Sequence, residues 1–405
     1  MVGYIPRLAD DVVVQALRRS GALLIEGSRG CGKTTTARQH ANHEISVAID
    51  SNAALATGVE PSLVLQGPTP LLIDEWQSQP HLWYSIRHEV DEPQQPGQFI
   101  LTGSTQPTNP AQRHSGTARF SRMLMHTMTL VESGESTGTA SLTQLAAGQA
   151  PSVPSSDFNI LDLAERICRG GWPALHGLDV QRTQAHLRDY LREVCEHDIA
   201  GADGTRRDPV RVMRTLQSLA RGVGTESSTT AIAKNAGLRR PTVIDYLESL
   251  KSIFISQDQP AWTQPLQTRV PLRKAPKRHL ADPSLAVAAL GLTPDDLLKD
   301  LRFFAQLFKS LVVHELRVLT DEPVFHARLS SGAAVDAIAT VDGRIIFVEA
   351  KLGHHSDVVD EAADRLQKFA SFVDEPTELL VVTGGGMSYR RPDGVNVIAI
   401  GSLGK

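Results

Sequence analysis

Apolar and polar positions alternate along the first part of the chain in a rhythm typical of an α/β sheet. From about residue 20, short apolar runs such as TPLLIDE and GQFILTGS are separated by stretches with helical spacing. This alternation predicts a parallel sheet covered by helices. The run 131–157 has few large apolar residues and many Ser, Thr, Gly and Pro, so we expect a surface linker that closes the first domain.

Helical spacing dominates the middle of the chain, and strand patterns return near its end. The segment QAHLRDYLREVCEHDI places Leu187, Leu191 and Val194 on one helix face. Because single cores stop growing at roughly 250 to 300 residues, a chain of 405 residues should hold several domains. We predict three units, which are an α/β domain over 1–150, a helical region over 158–258 and a small α/β domain over 259–405.

Composition narrows the class of protein. Hydrophobic residues make up 41% of the chain and charged residues 21%, as in soluble globular proteins. No apolar run reaches the roughly 18 residues of a membrane span, so we expect a cytoplasmic protein without a membrane partner. The cysteines lack paired spacing, which indicates reduced thiols and no zinc site. A net charge of −4 excludes a globally basic nucleic-acid binder but allows a local basic face.

One local basic stretch is RVPLRKAPKRHL, residues 269–280. Prolines interrupt it, and its cations are Arg269, Arg273, Lys274, Lys277 and Arg278. Two interpretations are open at this point, a solvated loop and a segment that contacts a polyanion.

The segment LLIEGSRGCGKTTTA contains the phosphate-binding pattern G-x-x-x-x-G-K-[ST] between a strand and a helix, which is the context that the pattern requires. Backbone N–H groups of such a loop surround the β-phosphate, Lys33 reaches the β- and γ-oxygens, and the Thr34 hydroxyl binds Mg²⁺. We therefore predict that ATP is bound by Gly27, Ser28, Arg29, Gly30, Cys31, Gly32, Lys33, Thr34 and Thr35.

A second acidic element follows about forty residues after the loop, where the apolar run PLLIDEWQ ends in Asp74 and Glu75. We expect Asp74 to hold Mg²⁺ together with Thr34, and Glu75 to act as the general base that polarises the attacking water. A third apolar run, QFILTGST, ends in Thr102, Gly103 and Ser104, where a polar side chain either senses the γ-phosphate or belongs to a simple strand-ending turn. The acidic pair favours ATP hydrolysis over nucleotide storage.

Two arginines follow in SGTARFSR. Arg119 or Arg122 could reach the nucleotide of a neighbouring subunit as an arginine finger, which would require a homo-oligomer. The alternative is that both are ordinary surface arginines.

Together with YIPRLADD and LLIDEWQSQPHLWYSIRHEVDEPQQPGQFILTGS, these motifs resemble a widespread bacterial and archaeal family of AAA-type ATP-binding proteins. The resemblance runs over nearly the whole chain and includes GGWPAL, YLREVCEHDI and RRPTVIDYLESL. It implies a P-loop ATPase domain followed by a C-terminal domain of unknown function. The chain departs from the family at the loop tip, where SRGCGKT replaces a more usual Pro-Arg-Gln-Val sequence, and in HSGTARF.

The segment STTAIAKNAGLRRPTVIDYLESLKSIFI predicts a helix-turn-helix with its turn at Gly237, followed by a strand-like wing. Arg239 and Arg240 at the start of the second helix could contact the phosphates of DNA or RNA. Asp245 and Glu248 on the exposed side would repel DNA. A packing or partner-binding module therefore stays open as the second interpretation.

The run VDAIATVDGRIIFVEAKLG predicts a β-hairpin that carries acids. Strand alternation places Glu349 and Lys351 on one face, and Asp336 lies on the preceding strand. Glu315 shares the buried stripe of the helix before the hairpin. We predict a Mg²⁺ site formed by Asp336, Glu349 and Glu315, with Lys351 orienting the attacking water. The alternative is a set of ordinary polar residues at the edge of a sheet.

The order Glu, Asp, Glu-x-Lys resembles the PD-(D/E)XK nuclease superfamily, although AAVDA has no proline before its aspartate. The resemblance implies a nuclease-like C-terminal domain with Asp336, Glu349 and Lys351 as catalytic residues. Taken together, the sequence predicts an ATPase that couples its nucleotide state to a nucleic-acid-binding, nuclease-like domain. The alternative function is an ATPase switch that regulates a protein partner and carries an inactive nuclease-like domain.

Overall fold

The structure, a computed structural model, describes residues 3–47, 49–91, 95–106, 119–153, 157–262, 275–373 and 377–405. Arg269, Arg273 and Lys274 of the basic stretch lie outside these ranges. In the described part of the chain, the strands form sheets of five, six and two members. None of the helices described there combines the length and the apolar character that a membrane crossing requires.

The N-terminal sheet has five parallel strands in the order β2-β3-β4-β1-β5, which confirms the predicted parallel α/β sheet. Its strands are β1 (Ala22–Glu26), β2 (His43–Ser46), β3 (Leu71–Asp74), β4 (Phe99–Gly103) and β5 (Phe120–Leu124). Its helices are α1 (Leu8–Arg19), α2 (Lys33–Arg38), α3 (Ser51–Val59) and α4 (Leu82–Asp91). The central strands β1, β3 and β4 are mostly apolar and buried because both of their faces are covered, whereas the edge strands β2 and β5 are partly exposed. Leu23 packs in one cluster with Val13 of α1, and Leu24 packs in another with Trp83 of α4.

The segment after β5 is packed into the molecule, which corrects the prediction of a surface linker over 131–157. It contains β6 (Ala140–Ser141) and α5 (Leu142–Ala146), and β6 pairs in parallel with the last strand of the chain, Leu403–Gly404. Leu130 and Leu145 belong to the same buried cluster as residues of the helical region and of the C-terminal sheet. A few well-spaced leucines are enough to anchor a segment whose composition is otherwise that of a loop.

Eight helices follow among the described residues. They are α6 (Ile160–Arg169), α7 (Val180–Glu193), α8 (Ile199–Asp203), α9 (Pro209–Arg221), α10 (Thr229–Ala236), α11 (Arg240–Ser252), α12 (Pro283–Leu290) and α13 (Pro294–Lys299). A π-helical turn, Val194–Asp198, joins α7 to α8. Helix α12 packs against α6, α7 and α9. The domain boundary that we predicted between 258 and 259 therefore falls inside one packed body.

A short ladder connects this helical region to the second sheet. Ser256 pairs antiparallel with Leu280, and Gln259 pairs with Lys277. Further along, Ala261 pairs with His326 in the second sheet. The ladder follows α10 and α11 directly, so the helix pair continues into the C-terminal half through backbone hydrogen bonds.

The C-terminal sheet has six strands in the order β11-β12-β10-β9-β8-β7. They are β7 (Phe325–Arg328), β8 (Ala334–Val341), β9 (Arg344–Lys351), β10 (Thr377–Thr383), β11 (Tyr389–Arg390) and β12 (Asn396–Ala399), and the last strand of the chain is β13 (Leu403–Gly404). Helices α14 (Leu301–Thr320) and α15 (Ser356–Ala370) cover opposite faces. Strands β7, β8 and β9 are antiparallel, whereas β10 runs parallel to β9. The chain thus runs through helix, three antiparallel strands, helix and parallel strand.

Candidate functional site

The phosphate loop lies between β1 and α2, and its backbone depends on glycine. Gly27 and Gly32 have φ angles of 155° and 109°, in the region that L side chains rarely adopt. A Cβ at Gly27 would lie 2.4 Å from the carbonyl oxygen of Met125. Arg29 and Gly30 form the exposed tip of the loop, while Ser28 and Cys31 are buried. The loop is thus held by close packing against the strand end beside it.

Lys33 is the first residue of α2, and its side chain folds back over the loop. Its Nζ atom donates hydrogen bonds to the carbonyl oxygens of Gly27 at 2.9 Å and Ser28 at 3.0 Å. Only 4% of the residue is exposed. The ammonium group therefore lies inside the concave side of the loop, where backbone N–H groups of such a loop bind phosphate. Thr35 follows on the exposed side of α2.

The acid at the end of β3 meets two hydroxyl groups. Asp74 Oδ1 accepts hydrogen bonds from Thr34 Oγ1 at 2.7 Å and from Thr102 Oγ1 at 2.5 Å. A carboxylate and a hydroxyl oxygen beside a phosphate loop form the donor set that Mg²⁺ uses with ATP, so these residues fit the ion. The sequence predicts a polar γ-phosphate sensor among Thr102, Gly103 and Ser104, and the structure places Thr102 against Asp74.

Glu75 has the φ of 54° and ψ of 44° of the left-handed region, which is uncommon for a residue with a side chain. Its Oε2 atom accepts a hydrogen bond from Ser104 Oγ at 2.8 Å and another from Gln77 Nε2. Its backbone N–H donates to Thr102 Oγ1 at 3.2 Å. The ends of β3 and β4 therefore hold the predicted general base in one orientation. Ser104 is brought to Glu75, as a residue near the γ-phosphate should be.

A cavity of about 490 Å³ opens beside Glu75 and Ser104. Its opposite wall belongs to the helical region and includes Tyr190, Asp198, Ile253 and Ile255. The loop tip reaches this wall, since Arg29 Nη1 lies 2.7 Å from Asp198 Oδ1 and the Arg29 carbonyl accepts a hydrogen bond from Tyr190. Burial raises the pKa of Asp198, and Arg29 opposes this effect. The nucleotide domain and the helical region thus share one cavity.

Arg7 supports the loop from behind and was missed by sequence reasoning, although it lies in the quoted YIPRLADD. Its Nη1 atom donates to the carbonyl oxygen of Cys31 at 3.0 Å, and Nη2 donates to that of His126 at 3.0 Å. Its Nε atom pairs with Glu132 at 2.9 Å. Because the buried Arg7 donates hydrogen bonds to the carbonyl oxygens of Cys31 and His126, it fixes the backbone of the phosphate loop and of the segment after β5.

The predicted arginine finger is not brought to the phosphate loop of its own chain. Arg119 lies just before β5, beside Ala22 at the opposite end of β1 from the loop, and pairs with Asp91. Arg122 lies 3.7 Å from Glu26 and stacks over Trp83. A role on a neighbouring subunit stays a prediction.

The C-terminal acids do come together. Asp336 and Glu349 occupy paired strands, and the backbone N–H of Ala350 donates to Asp336 Oδ2 at 3.3 Å. Two lysines join them, because Asp336 Oδ1 lies 2.9 Å from Lys309 Nζ and 3.3 Å from Lys277 Nζ. The predicted basic stretch thus sends Lys277 inward, toward the acids.

Lys351 lies 3.9 Å from Glu349, at the solvent side of the same cluster. Burial and the neighbouring Asp336 raise the pKa of Glu349 to about 8. Burial would also raise the pKa of Asp336, but Lys277 and Lys309 outweigh it and hold that pKa well below its usual range. The pair therefore carries fewer negative charges at neutral pH than two free carboxylates.

Glu315 does not join this cluster, which corrects the predicted three-acid metal site. Its carboxylate accepts a hydrogen bond from the backbone N–H of Leu130 at 3.1 Å. Glu315 lies on the buried face of α14 as predicted. At its position, however, this face packs against the segment after β5 and not against the acids of the sheet. Among the described residues, no three His, Cys, Asp or Glu side chains are grouped so that they could hold a metal ion. The C-terminal residues therefore do not fit a Mg²⁺ site.

The helix pair α10 and α11 is joined at Gly237 in the left-handed conformation, as the sequence predicts. Exposed cations surround this turn, and they are Lys234, Arg239, Arg240 and, from α9, Arg214. None of these four forms an ion pair with a residue that the structure describes. Of the two acids that would repel DNA, Asp245 is paired with Arg207 at 2.9 Å, while Glu248 is exposed. Arg278 pairs with Asp258 instead of extending into solvent.

Comparison with known proteins agrees with the N-terminal geometry. Residues 19–133 match the AAA domain model, and residues 160–296 match a domain of unknown function, DUF8612. The latter match extends past residue 259, as the packing of α12 does. The uncharacterized proteins Rv2008c of Mycobacterium tuberculosis and Mb2031c of Mycobacterium bovis are each 26% identical over 347 residues, which is 83% of this chain and 71% of theirs.

Among solved structures, a DNA replication initiation factor covers 62% of this chain and 89% of its own at 16% identity. The TM-score is 0.24, which is too low to carry an argument about fold. The phosphate loop, the acidic strand end and the sheet order agree with the AAA match. The match of residues 19–133 to the AAA domain thus supports a P-loop ATPase.

Proposed function

We propose that the protein is an ATP-hydrolysing switch whose nucleotide state controls nucleic-acid binding by its helical and C-terminal regions. Lys33 and the loop amides bind the phosphates, Thr34 and Asp74 hold Mg²⁺, and Glu75 orients the attacking water. When bound, the ion neutralises charge on the phosphates. The order helix, three antiparallel strands, helix and parallel strand supports a nuclease-like C-terminal domain, whereas the position of Glu315 does not support cleavage.

The proposed coupling between the nucleotide site and the helical region is supported by one hydrogen bond. The backbone N–H of Gln106, just beyond β4, donates a hydrogen bond to the carbonyl oxygen of Ser252 at 2.8 Å. Ser252 ends α11, the second helix of the helix pair, and β4 supplies the groups that hold Asp74 and Glu75. A shift of β4 on hydrolysis would therefore reach the end of α11 through a single hydrogen bond. Ile253 and Ile255, which follow α11, line the cavity beside Glu75.

The exposed cations at the start of α11 support nucleic acid as the ligand. Arg239 and Arg240 are exposed and lie beside Lys234, so they present a positive surface to a phosphate backbone. The helix pair and the ladder after it support the interpretation as a winged helix-turn-helix. The arrangement supports contacts with DNA or RNA without indicating a preferred base sequence.

The test is the rate of ATP hydrolysis with and without DNA or RNA, together with binding at several salt concentrations. We expect nucleic acid to change the rate and the double variant Arg239→Ala/Arg240→Ala to lose this response. For this variant, the slope of log binding constant against log salt concentration should fall in magnitude by about one for each phosphate contact that is lost. The matched control, Arg18→Ala/Lys299→Ala, removes two exposed cations elsewhere. A rate indifferent to nucleic acid, with no salt-sensitive binding, would favour the protein-partner function.

A further inference from the structure

Three lysines converge on the C-terminal acids from three different elements. Lys277 comes from the ladder after α11, Lys309 from α14 and Lys351 from the end of β9. The ammonium groups of Lys277 and Lys309 both contact Asp336 Oδ1, and Lys351 lies beside Glu349. All three lysines act electrostatically on Glu349, so the five groups form one cluster.

The charge of this cluster favours an anion. Three ammonium groups and two carboxylates leave an excess of one positive charge even when both acids are ionised. Arg365 on α15 adds to the positive potential at Lys309. A divalent cation would have to displace two ammonium groups from Asp336 and would still lack a third carboxylate. The cluster therefore repels the ion that its acids would otherwise attract.

Lys309 and Lys351 are the most exposed members of the cluster. The Lys309 side chain is 31% exposed and that of Lys351 is 16% exposed, whereas Glu349 is only 4% exposed. The Lys277 side chain is only 9% exposed and lies beneath them, and Asp336, which is 13% exposed, holds the Lys309 ammonium group in position. An ammonium group that is already oriented loses less side-chain freedom when a phosphate oxygen binds to it.

We propose that Lys277, Lys309 and Lys351 form a metal-independent site for a phosphodiester of a nucleic-acid backbone. This inference rests on the proposed nucleic-acid function and names a second point of contact for the same ligand. Lysine suits it, since it binds phosphate as a point charge without demanding a fixed orientation. Lys277 belongs to the ladder that follows the helix pair, where it is paired with Gln259, so backbone hydrogen bonds join the cluster to the segment after α11.

The experiment measures binding of labelled single-stranded DNA, duplex DNA and RNA to the full chain in EDTA, without ATP. Wild type should bind at least one of them, and Lys309→Ala should weaken that binding about tenfold and lower the salt slope by about 1. Lys299→Ala, an exposed lysine on α13, is the matched control and should bind as wild type does. Circular dichroism checks that each variant is folded.

A second variant reverses the charge. Lys309→Glu places a third carboxylate beside Asp336 and Glu349, so it should abolish oligonucleotide binding at the cluster and create a Mn²⁺ site. In a Lys33→Ala background, which silences the nucleotide site, electron paramagnetic resonance should show Mn²⁺ uptake by this variant that the Lys33→Ala parent lacks. If the Lys309→Glu variant does not bind Mn²⁺ and binds the oligonucleotide as tightly as wild type does, the proposed site is overturned.

The outcomes separate this inference from the proposed function. If Arg239→Ala/Arg240→Ala weakens oligonucleotide binding and Lys309→Ala leaves it unchanged, the lysine site alone is overturned. Binding by wild type that requires Mg²⁺ overturns it as well. If the Lys33→Ala protein binds inorganic pyrophosphate through Lys309 and no oligonucleotide, the anion site stands and the nucleic-acid function falls. If neither probe binds, both proposals fall.

Discussion

Arg7 and Glu132 form an ion pair in which the two side chains are only 3% and 2% exposed. The pair joins the start of the chain to the segment after β5, 125 residues later. Glu132 also accepts hydrogen bonds from the backbone N–H groups of Leu8 and Thr129. Because Arg7 holds the carbonyl oxygen of Cys31 as well, the same guanidinium supports the phosphate loop.

Arg7→Ala should therefore destabilise the N-terminal domain strongly. It leaves Glu132 buried without its partner, a change that typically costs about 3–5 kcal/mol. Urea denaturation followed by circular dichroism measures the loss. Arg38→Ala is the control, since the Arg38 side chain is 52% exposed where it pairs with Glu44 and should contribute less than about 1 kcal/mol. Equal losses in the two variants would show that burial of the Arg7 pair is unimportant.

Lys33→Ala should lose ATP binding. The ammonium group already lies within the loop, and its charge-assisted bonds to phosphate are worth on the order of 100-fold in affinity. Titration calorimetry with a non-hydrolysable ATP analogue and Mg²⁺ measures the effect. Arg38→Ala, on the same helix, should bind as wild type does. Unchanged affinity in Lys33→Ala would contradict the assigned role.

Glu75→Gln should bind ATP but hydrolyse it slowly. The amide keeps the size of the side chain and loses the base, which typically contributes a factor of roughly 10² to 10⁴ in rate. Phosphate release under saturating ATP measures the rate, and calorimetry checks the affinity. Glu60→Gln, an exposed acid of the same domain, should hydrolyse normally. Full turnover by Glu75→Gln would place the base elsewhere.

Glu349 should make stability depend on pH. Its pKa rises from an ordinary value of 4.5 to about 8 in the folded protein, so the folded state favours the protonated acid. Its contribution is therefore fully present below about pH 4.5 and is lost as the pH rises to about 8, at roughly 1.4 kcal/mol per pH unit at most. Denaturation curves across this range should show Glu349→Gln gaining stability relative to wild type.

The matched control for that series is Glu361→Gln, because the Glu361 side chain is 57% exposed. It should differ from wild type by the same small amount at every pH. Parallel curves for wild type and Glu349→Gln would contradict the raised pKa. Asp336 does not disturb the comparison, since its pKa is shifted downward and it titrates below this window.

The residues that the sequence predicts for a nucleotide site come together in the structure because the parts of the pattern are local. A glycine loop, a lysine and an acidic strand end have fixed spacing, and parallel strands bring their carboxyl ends to one edge of a sheet. Asp74 and Thr34 therefore meet as the spacing indicates. The contact of Thr102 with Asp74 and the role of Arg7 were not predicted, since a hydroxyl on a strand and an arginine near the start of a chain have no distinctive local pattern.

The C-terminal cluster was predicted only in part, because its composition depends on contacts between distant segments. Asp336 and Glu349 meet through the hairpin, which is local. Lys309 and Glu315 lie on one helix, and helical spacing does not say which of them faces the acids. Lys277 arrives through the ladder after α11, a pairing that no short pattern announces.

The pairing of β6 with β13 has a practical consequence for work on this protein. A fragment ending near residue 150 would leave Leu130, Leu142 and Leu145 without the helices and strands that cover them. Such a fragment would expose an adhesive apolar surface and precipitate during purification. Experiments on the nucleotide site are therefore best done with the intact polypeptide. Point substitutions, and not truncations, should be used to assign a role to each region of the chain.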